Sequence, residues 1–286
     1  MFPFWEIAIA PVIDAVGPRR IVEIGVRHGQ TTRLILDRLA ADAELHIIDP
    51  EPDFEPSAFP VANGARCILH RATSHDALAD LAPVDVALID GDHNWYTVYH
   101  ELRMLNATAR GAGRPLPVLV LHDVAWPYGR RDLYYEPERI PEEFRQPYAR
   151  RGMRPGRREL VAGAGGVSPT FAHALVEGGP RNGVMTALDD FLAEHDRPTR
   201  RLVLPVFFGL AIVAEHERLD ASLTAALDEL ESAQGRGRLL ELSEAIRLEG
   251  LLHQSNLAAR LTRELEEMRA RHSDAPGAEG GASHDR

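Results

Sequence analysis

Three ionisable side chains stand within four positions at the end of an apolar run: Asp90, Asp92 and His93 in VALIDGDHNWY. A second apolar run, PVLVLHD, ends in His122 and Asp123. Carboxylates and imidazoles in such numbers can hold a divalent cation, move a proton, or do no more than solvate a turn. Which of the three applies depends on the elements that carry them.

Short runs rich in Val, Ile and Leu recur at 20–26, 44–49, 66–70, 84–90 and 117–123. Several are almost wholly apolar, as strands covered on both faces must be. Between them TTRLILDRLAA, SHDALADLA and NWYTVYHELRMLNATA carry apolar residues at three- and four-residue spacing, the pattern of a helix with one buried face. Alternation of this kind predicts a parallel α/β sheet with right-handed crossovers. Two later runs, 200–206 and 208–214, are separated only by a turn around Phe207 to Gly209. That is too short for a parallel crossover and predicts an antiparallel hairpin, preceded by a helix over 184–195.

Residues 127–182 interrupt the alternation with Pro, Gly, Arg and Tyr; nine arginines and four of the six tyrosines fall within 128–160. A segment this long inside a domain is usually functional or disordered. From Glu215 to about Arg271 leucines recur at helical spacing, interrupted by Gly235 and Gly237. Two helices are expected, packed on the core or pairing with a second subunit as a homo-oligomer. The tail 273–286 is expected to be disordered.

The totals narrow the classes. With 286 residues, a net charge of −11 and no basic tail, the chain does not read as a nucleic-acid binder. All 32 basic residues are arginine, so no lysine can serve as Schiff-base former, general base or phosphate-loop ligand. Cys67 stands alone in ARCILH and reads as a buried, inert thiol. No apolar stretch approaches the roughly 18 residues of a membrane span. The opening MFPFWEIAIAPVIDAV has acids at Glu6 and Asp14 and no positive leader, so it predicts an amphipathic helix and a cytoplasmic protein.

VEIGVRHGQTT, residues 22–32, joins the first strand to the first helix. It is neither a phosphate-binding P-loop nor G-x-G-x-x-G, because Arg27 occupies the second glycine position. Gly25 permits a tight turn and Gly29 opens the helix. Asp49 ends the second strand, where an acid commonly binds ribose hydroxyls. Together these features predict a ribose-bearing ligand at the carboxyl edge of the sheet.

The chain resembles class I S-adenosylmethionine-dependent methyltransferases, closest to the macrocin-type sugar O-methyltransferase and cephalosporin hydroxylase-like branch. VEIGVRHGQTT, HIIDP, ALIDGDHNWYTVYHEL, VLVLHDV and the terminal hairpin carry the likeness. It implies a Rossmann-like, seven-stranded, mostly parallel sheet with an antiparallel last strand, plus C-terminal helices. The expected organisation is a methyltransferase domain over 1–214, with 127–183 an inserted substrate lid, and a helical extension over 215–272. The resemblance implies that Glu23, Gly25 and Gly29 line the methionine part of the cofactor. Asp49 is placed on its ribose, Ser74 and His75 near its adenine, and Asp90 beside it. It also implies a divalent ion, Mg²⁺ or another, on Asp90, His122 and Asp123.

A sulfonium is already an activated methyl donor, so the protein must align the acceptor and help it lose a proton. His93 is the expected base, with Asp90 as ligand or second base; Asp92 is expected to cap the helix starting near Asn94. Over the site, Tyr128, Arg130, Arg131, Tyr134 and Tyr135 are candidate substrate contacts, with Arg181 and Asn182 as further ones. The expected activity is O-methylation of a sugar or natural-product hydroxyl. A metal-independent N-methyltransferase of an amino sugar and a non-catalytic scaffold are the alternatives.

Overall fold

The computed structural model describes residues 1–55, 64–163 and 165–273, so the expected disordered tail lies outside the described residues apart from Ser273. The chain divides into two units, 1–236 and 237–286.

The first unit opens with short helical turns leading into α1 (Ala10–Val16). There follow β1 (Arg20–Ile24), α2 (Gln30–Leu36), β2 (Glu44–Ile48), β3 (Arg66–His70), α3 (Ser74–Ala79), β4 (Val86–Ile89), α4 (Trp95–Gly111) and β5 (Val118–His122). β4 and β5 are buried at every position, as their unbroken apolar character demands. After an insert come α5 (Val184–Glu194), β9 (Thr199–Leu204) and β10 (Leu210–Glu215). The sheet runs β3-β2-β1-β4-β5-β10-β9, with β10 antiparallel to both neighbours and the other pairings parallel. This is a Rossmann-like α/β fold, with the expected antiparallel last strand. The order places β1 and β4 side by side at the centre, where the chain switches direction and ligands bind at the carboxyl ends.

The insert is more ordered than its composition suggests. It carries a three-stranded antiparallel sheet of β6 (Leu133–Tyr134), β8 (Ala172–Ala174) and β7 (Tyr148–Arg150). Asp132 pins it to the core. One carboxylate oxygen accepts the amides of Trp95 (2.7 Å) and Gly183 (2.6 Å), which open α4 and α5; the other accepts the Tyr134 hydroxyl (2.7 Å). Burial pushes this carboxyl up to about 6 against the pull of those donors. Arg131 is fully buried and donates to the carbonyls of Ala174 and Arg158.

Beyond β10, α6 (Ala221–Glu231) and α7 (Ala233–Ser273) supply the two expected helices. The break falls at Ser232, not at the glycines: Ser232 Oγ accepts the amide of Gly235 (2.9 Å), so both glycines lie inside α7. An N-cap hydroxyl ends one helix and starts the next more firmly than glycine interrupts one. No helix among the described residues is long and apolar enough to cross a membrane. Cys67 is half-buried, and burial pushes its thiol up to about 11, consistent with an unreactive side chain.

Asp132→Ala is expected to lower stability by about 3 kcal/mol or more, because it leaves three donors unpaired, two of them buried amides. Urea denaturation measures this; Tyr134→Phe, which removes one donor, should cost about 1 kcal/mol.

Candidate active site

Strand register brings the two acidic tips together. Ile24 of β1 pairs with Ile89 of β4, and Ile89 with Leu121 of β5, so Asp90 and His122 leave adjacent strands side by side. The turn after β1 is pressed against the same spot. A Cβ on Gly25 would lie 2.3 Å from the Asp90 carbonyl oxygen, and Gly25 has φ 81°. Only glycine satisfies both conditions.

At this junction Asp90 Oδ1 lies 2.9 Å from His122 Nδ1, and Asp90 Oδ2 is 2.8 Å from the amino group of Met1. Asp123 Oδ2 lies 2.8 Å from His122 Nδ1 and 3.0 Å from His93 Nε2. His122 Nε2 donates to the Phe207 carbonyl at 2.9 Å. Oxygen acceptors therefore face both ring nitrogens of His122, which makes it an imidazolium. Burial alone would lower it, but Asp90 and Asp123 push it up to about 9. Burial works against the carboxylates as well. The facing His122 nevertheless holds Asp90 well below the usual range, and His93 with His122 holds Asp123 at about 2. His93 is likewise raised well above its ordinary value, Asp123 overcoming desolvation.

The backbone is strained where it serves this cluster. Asp123 has φ 60°, and Phe207 and Phe208 have φ 48° and 69°. Non-glycine residues in this region cost of order 1–3 kcal/mol each and persist where the surroundings over-determine them. Among the described residues, Asp90, His93 and Asp123 form a group that could hold a metal ion, with one ligand atom from each lying within 4.8 Å of the others. His122, expected among the ligands, instead backs this set with both nitrogens engaged. Asp123 Oδ1 and His93 Nδ1 are buried with no hydrogen-bond partner. Asp92 does not cap α4: Asn94 does, accepting the Thr97 amide at 2.8 Å, while Asp92 accepts the Thr97 hydroxyl at 3.0 Å.

On the other side of Gly25, Asp49 closes the glycine turn. Its Oδ2 accepts the amides of Val26 (3.0 Å) and Arg27 (2.9 Å). Arg27 occupies the left-handed region at φ 38°, so a residue that is not glycine is accommodated with its side chain exposed. Gly29, φ 69°, stands at the start of α2. Buried Glu23 accepts the Thr32 hydroxyl at 2.6 Å, yet desolvation pushes it up to about 8. Ser74 opens α3 and His75 reaches the Thr97 carbonyl at 3.1 Å. Sequence reasoning missed Glu101, wholly buried on α4 and pushed up to about 8 by desolvation that the Ser74 hydroxyl offsets only weakly. An acid at an apolar spacing position of α4 was the signal for it.

The insert residues separate into two groups. Tyr128 stacks on His93, ring centroids 5.1 Å apart, and Tyr135 lies 6.0 Å from it. Arg131, Tyr134 and Asn182 are buried in the insert itself, with Asn182 accepting the Asp132 amide and donating to the Val176 and Gly178 carbonyls. Arg130 is held by Asp189 (2.6 Å) and Thr186 (3.1 Å), and Arg181 covers Trp95 and Phe144. These five residues, interior or paired, leave Tyr128 and Tyr135 as the members facing the cluster.

Residues 22–124 match a family model described as a methyltransferase domain. Among solved structures the chain is similar to an O-methyltransferase from Bacillus cereus in complex with SAH (15% identity, 71% of this chain and 77% of that one, TM-score 0.43). It is also similar to the O-methyltransferase TomG from Streptomyces achromogenes, involved in tomaymycin synthesis, in complex with SAM (15%, 73% and 79%, TM-score 0.39). A third is an SAH-bound methyltransferase from Podospora anserina (17%, 72% and 76%, TM-score 0.37). No curated protein matches the chain.

Gly25→Ala is expected to force the β1 turn off the Asp90 backbone and cost about 3 kcal/mol or more, read by chemical denaturation. Glu23 and Glu101 hold protons when folded that the unfolded chain releases above about 4.5. The contribution of these two groups to the stability of the ligand-free protein is therefore fully present below that pH and falls as pH rises toward 8, by up to about 1.4 kcal/mol per unit for each group. Glu101→Gln should flatten the profile; an unchanged slope would contradict the assignment.

Proposed function

We propose that this chain is an S-adenosylmethionine-dependent methyltransferase that transfers the methyl group of S-adenosylmethionine to a hydroxyl of a small acceptor at the Asp90–His93–Asp123 cluster. The observation that carries the reading is the meeting of two strand-end carboxylates and an imidazole beside the turn that Gly25 alone permits.

In this reading Glu23, Gly25 and Gly29 hold the methionine part of the cofactor, Asp49 the ribose hydroxyls, and Ser74 with His75 the adenine. The acceptor oxygen attacks the methyl carbon in line. The carbon–oxygen bond forms as the carbon–sulfur bond breaks, and the sulfur keeps that electron pair as a neutral thioether. The hydroxyl proton passes to Nδ1 of His93 in its neutral form, whose share grows as pH rises toward the raised pKa. Asp123, 3.0 Å from Nε2, fixes the ring and stabilises the imidazolium that forms. Tyr128, stacked on the ring, holds its plane. His122, gripped by the Phe207 carbonyl, keeps both carboxylates ionised and aimed.

The same donors fit a divalent cation: two carboxylates and an imidazole converge, and Asp123 Oδ1 lacks any other partner. Such an ion on Asp90, His93 and Asp123 would supply a lowered pKa to the acceptor hydroxyl. A sugar-bearing natural product is the acceptor that the macrocin-type resemblance favours.

Isothermal titration with S-adenosylhomocysteine tests the reading; no binding at high micromolar ligand would overturn it. Asp49→Ala should weaken that binding by about tenfold or more, whereas Asp90→Ala should abolish turnover with affinity largely kept. Turnover lost in a chelator and restored by Mg²⁺ or Mn²⁺ is expected if the cation takes part; unchanged turnover assigns the proton transfer to His93 unaided.

A further inference from the structure

The centre is largely buried, and aromatic rings run outward from it. His93 has 12% of its side chain exposed, and stacked Tyr128 is buried. Outward from these two the rings continue without interruption. Tyr135 leads to Phe171, edge to face at 5.6 Å, and Tyr128 leads to Phe208 at 6.3 Å. Phe208 also lies 6.4 Å from His122. Tyr135, Phe171 and Phe208 are 46%, 39% and 46% exposed. Tyr135 is close enough for His93, Asp123 and Asp92 to act on its phenol, which burial raises.

Phe208 is held outward at a cost. It follows Phe207 in the left-handed region, where a bulky residue is a genuine outlier. The Phe207 carbonyl engages His122 and the Phe208 carbonyl accepts the Ala125 amide at 2.7 Å. These bonds fix the turn so that one ring packs on Phe4 and the next stands at the rim. Meanwhile the two guanidinium groups nearest Tyr128 in the chain are committed elsewhere, Arg130 to Asp189 and Arg131 to buried carbonyls. Neither is free to grip a phosphate or carboxylate on the acceptor.

We propose that Tyr135, Phe171 and Phe208 form the acceptor subsite, and that it takes an uncharged ring bearing the reactive hydroxyl in preference to a phosphorylated acceptor. The inference rests on the methyl-transfer reading of the same cluster and adds the substrate class. Ring faces gain from stacking and edge contacts on such a rim, whether the ring is aryl or the apolar face of a glycoside. A phosphate would exchange its hydration for ring faces there, and the two guanidinium groups nearest Tyr128 in the chain are already engaged.

Full-length protein saturated with S-adenosylhomocysteine is titrated with catechol, methyl β-glucoside and glucose 1-phosphate. At least one neutral probe should bind about tenfold or more tighter than glucose 1-phosphate. Catechol ahead of the glucoside identifies an aryl acceptor, and the reverse order a glycosyl one. Phe208→Ala should weaken the neutral probe by about three- to tenfold while S-adenosylhomocysteine affinity is unchanged. Phe208→Leu, which keeps apolar bulk without a ring, should show a smaller loss and serves as the folding control. Glucose 1-phosphate binding as well as either neutral probe, no binding of either neutral probe at millimolar concentration, or full affinity in Phe208→Ala would overturn the subsite with the methyl-transfer reading intact. Failure of S-adenosylhomocysteine to bind would remove both.

Discussion

Two carboxylates and two imidazoles share one nearly dry spot at the carboxyl edge of the sheet, and the rest of the structure is arranged around keeping them charged. Asp123 exposes 3% of its side chain, and a lone carboxylate so placed would be strongly disfavoured. His93 and His122 on either side reverse that penalty. The arrangement demands adjacent parallel strands of matched register, a glycine where β1 meets β4, and a left-handed residue at the end of β5. It also demands the strained turn between β9 and β10, whose Phe207 carbonyl fixes the second imidazole. A cluster that needs four separate elements and three backbone outliers is difficult to explain as a solvated turn.

Much of this was legible in the amino-acid order. Apolar runs with no alternation marked strands covered on both faces, and the short gap between the last two marked the antiparallel pair. VEIGVRHGQTT and LIDGDH marked the carboxyl edge of the sheet where β1 and β4 end side by side. What was not legible depended on contacts distant in sequence. Which of His93 and His122 has its second ring nitrogen engaged is set by a carbonyl 85 residues away, which no local spacing reveals. Asp92 and Asn94 are both good caps, and only the position of Thr97 relative to each decides between them. The helix break at Ser232 shows a capping hydroxyl prevailing over two glycines.

The insert gives the clearest case of composition read too literally. Its arginines and tyrosines suggested a polar lid facing substrate, yet Arg131, Tyr134 and Asn182 build the insert itself around Asp132. An insert of short strands has little apolar core, so buried ionic and hydrogen-bonded groups must hold it, and arginine is suited to bridging carbonyls. That leaves aromatic rings as the chemistry it presents to the centre.

The claim on which the account depends is that the donor methyl is presented to Asp90, His93 and Asp123. A crystal structure with S-adenosylhomocysteine and Mn²⁺, using anomalous scattering, tests it most directly. The account predicts the cofactor lying across the Gly25 turn with its sulfur directed at His93, and any manganese peak between the three donors. A sulfur directed away from His93, or a cofactor on another edge of the sheet, would contradict it.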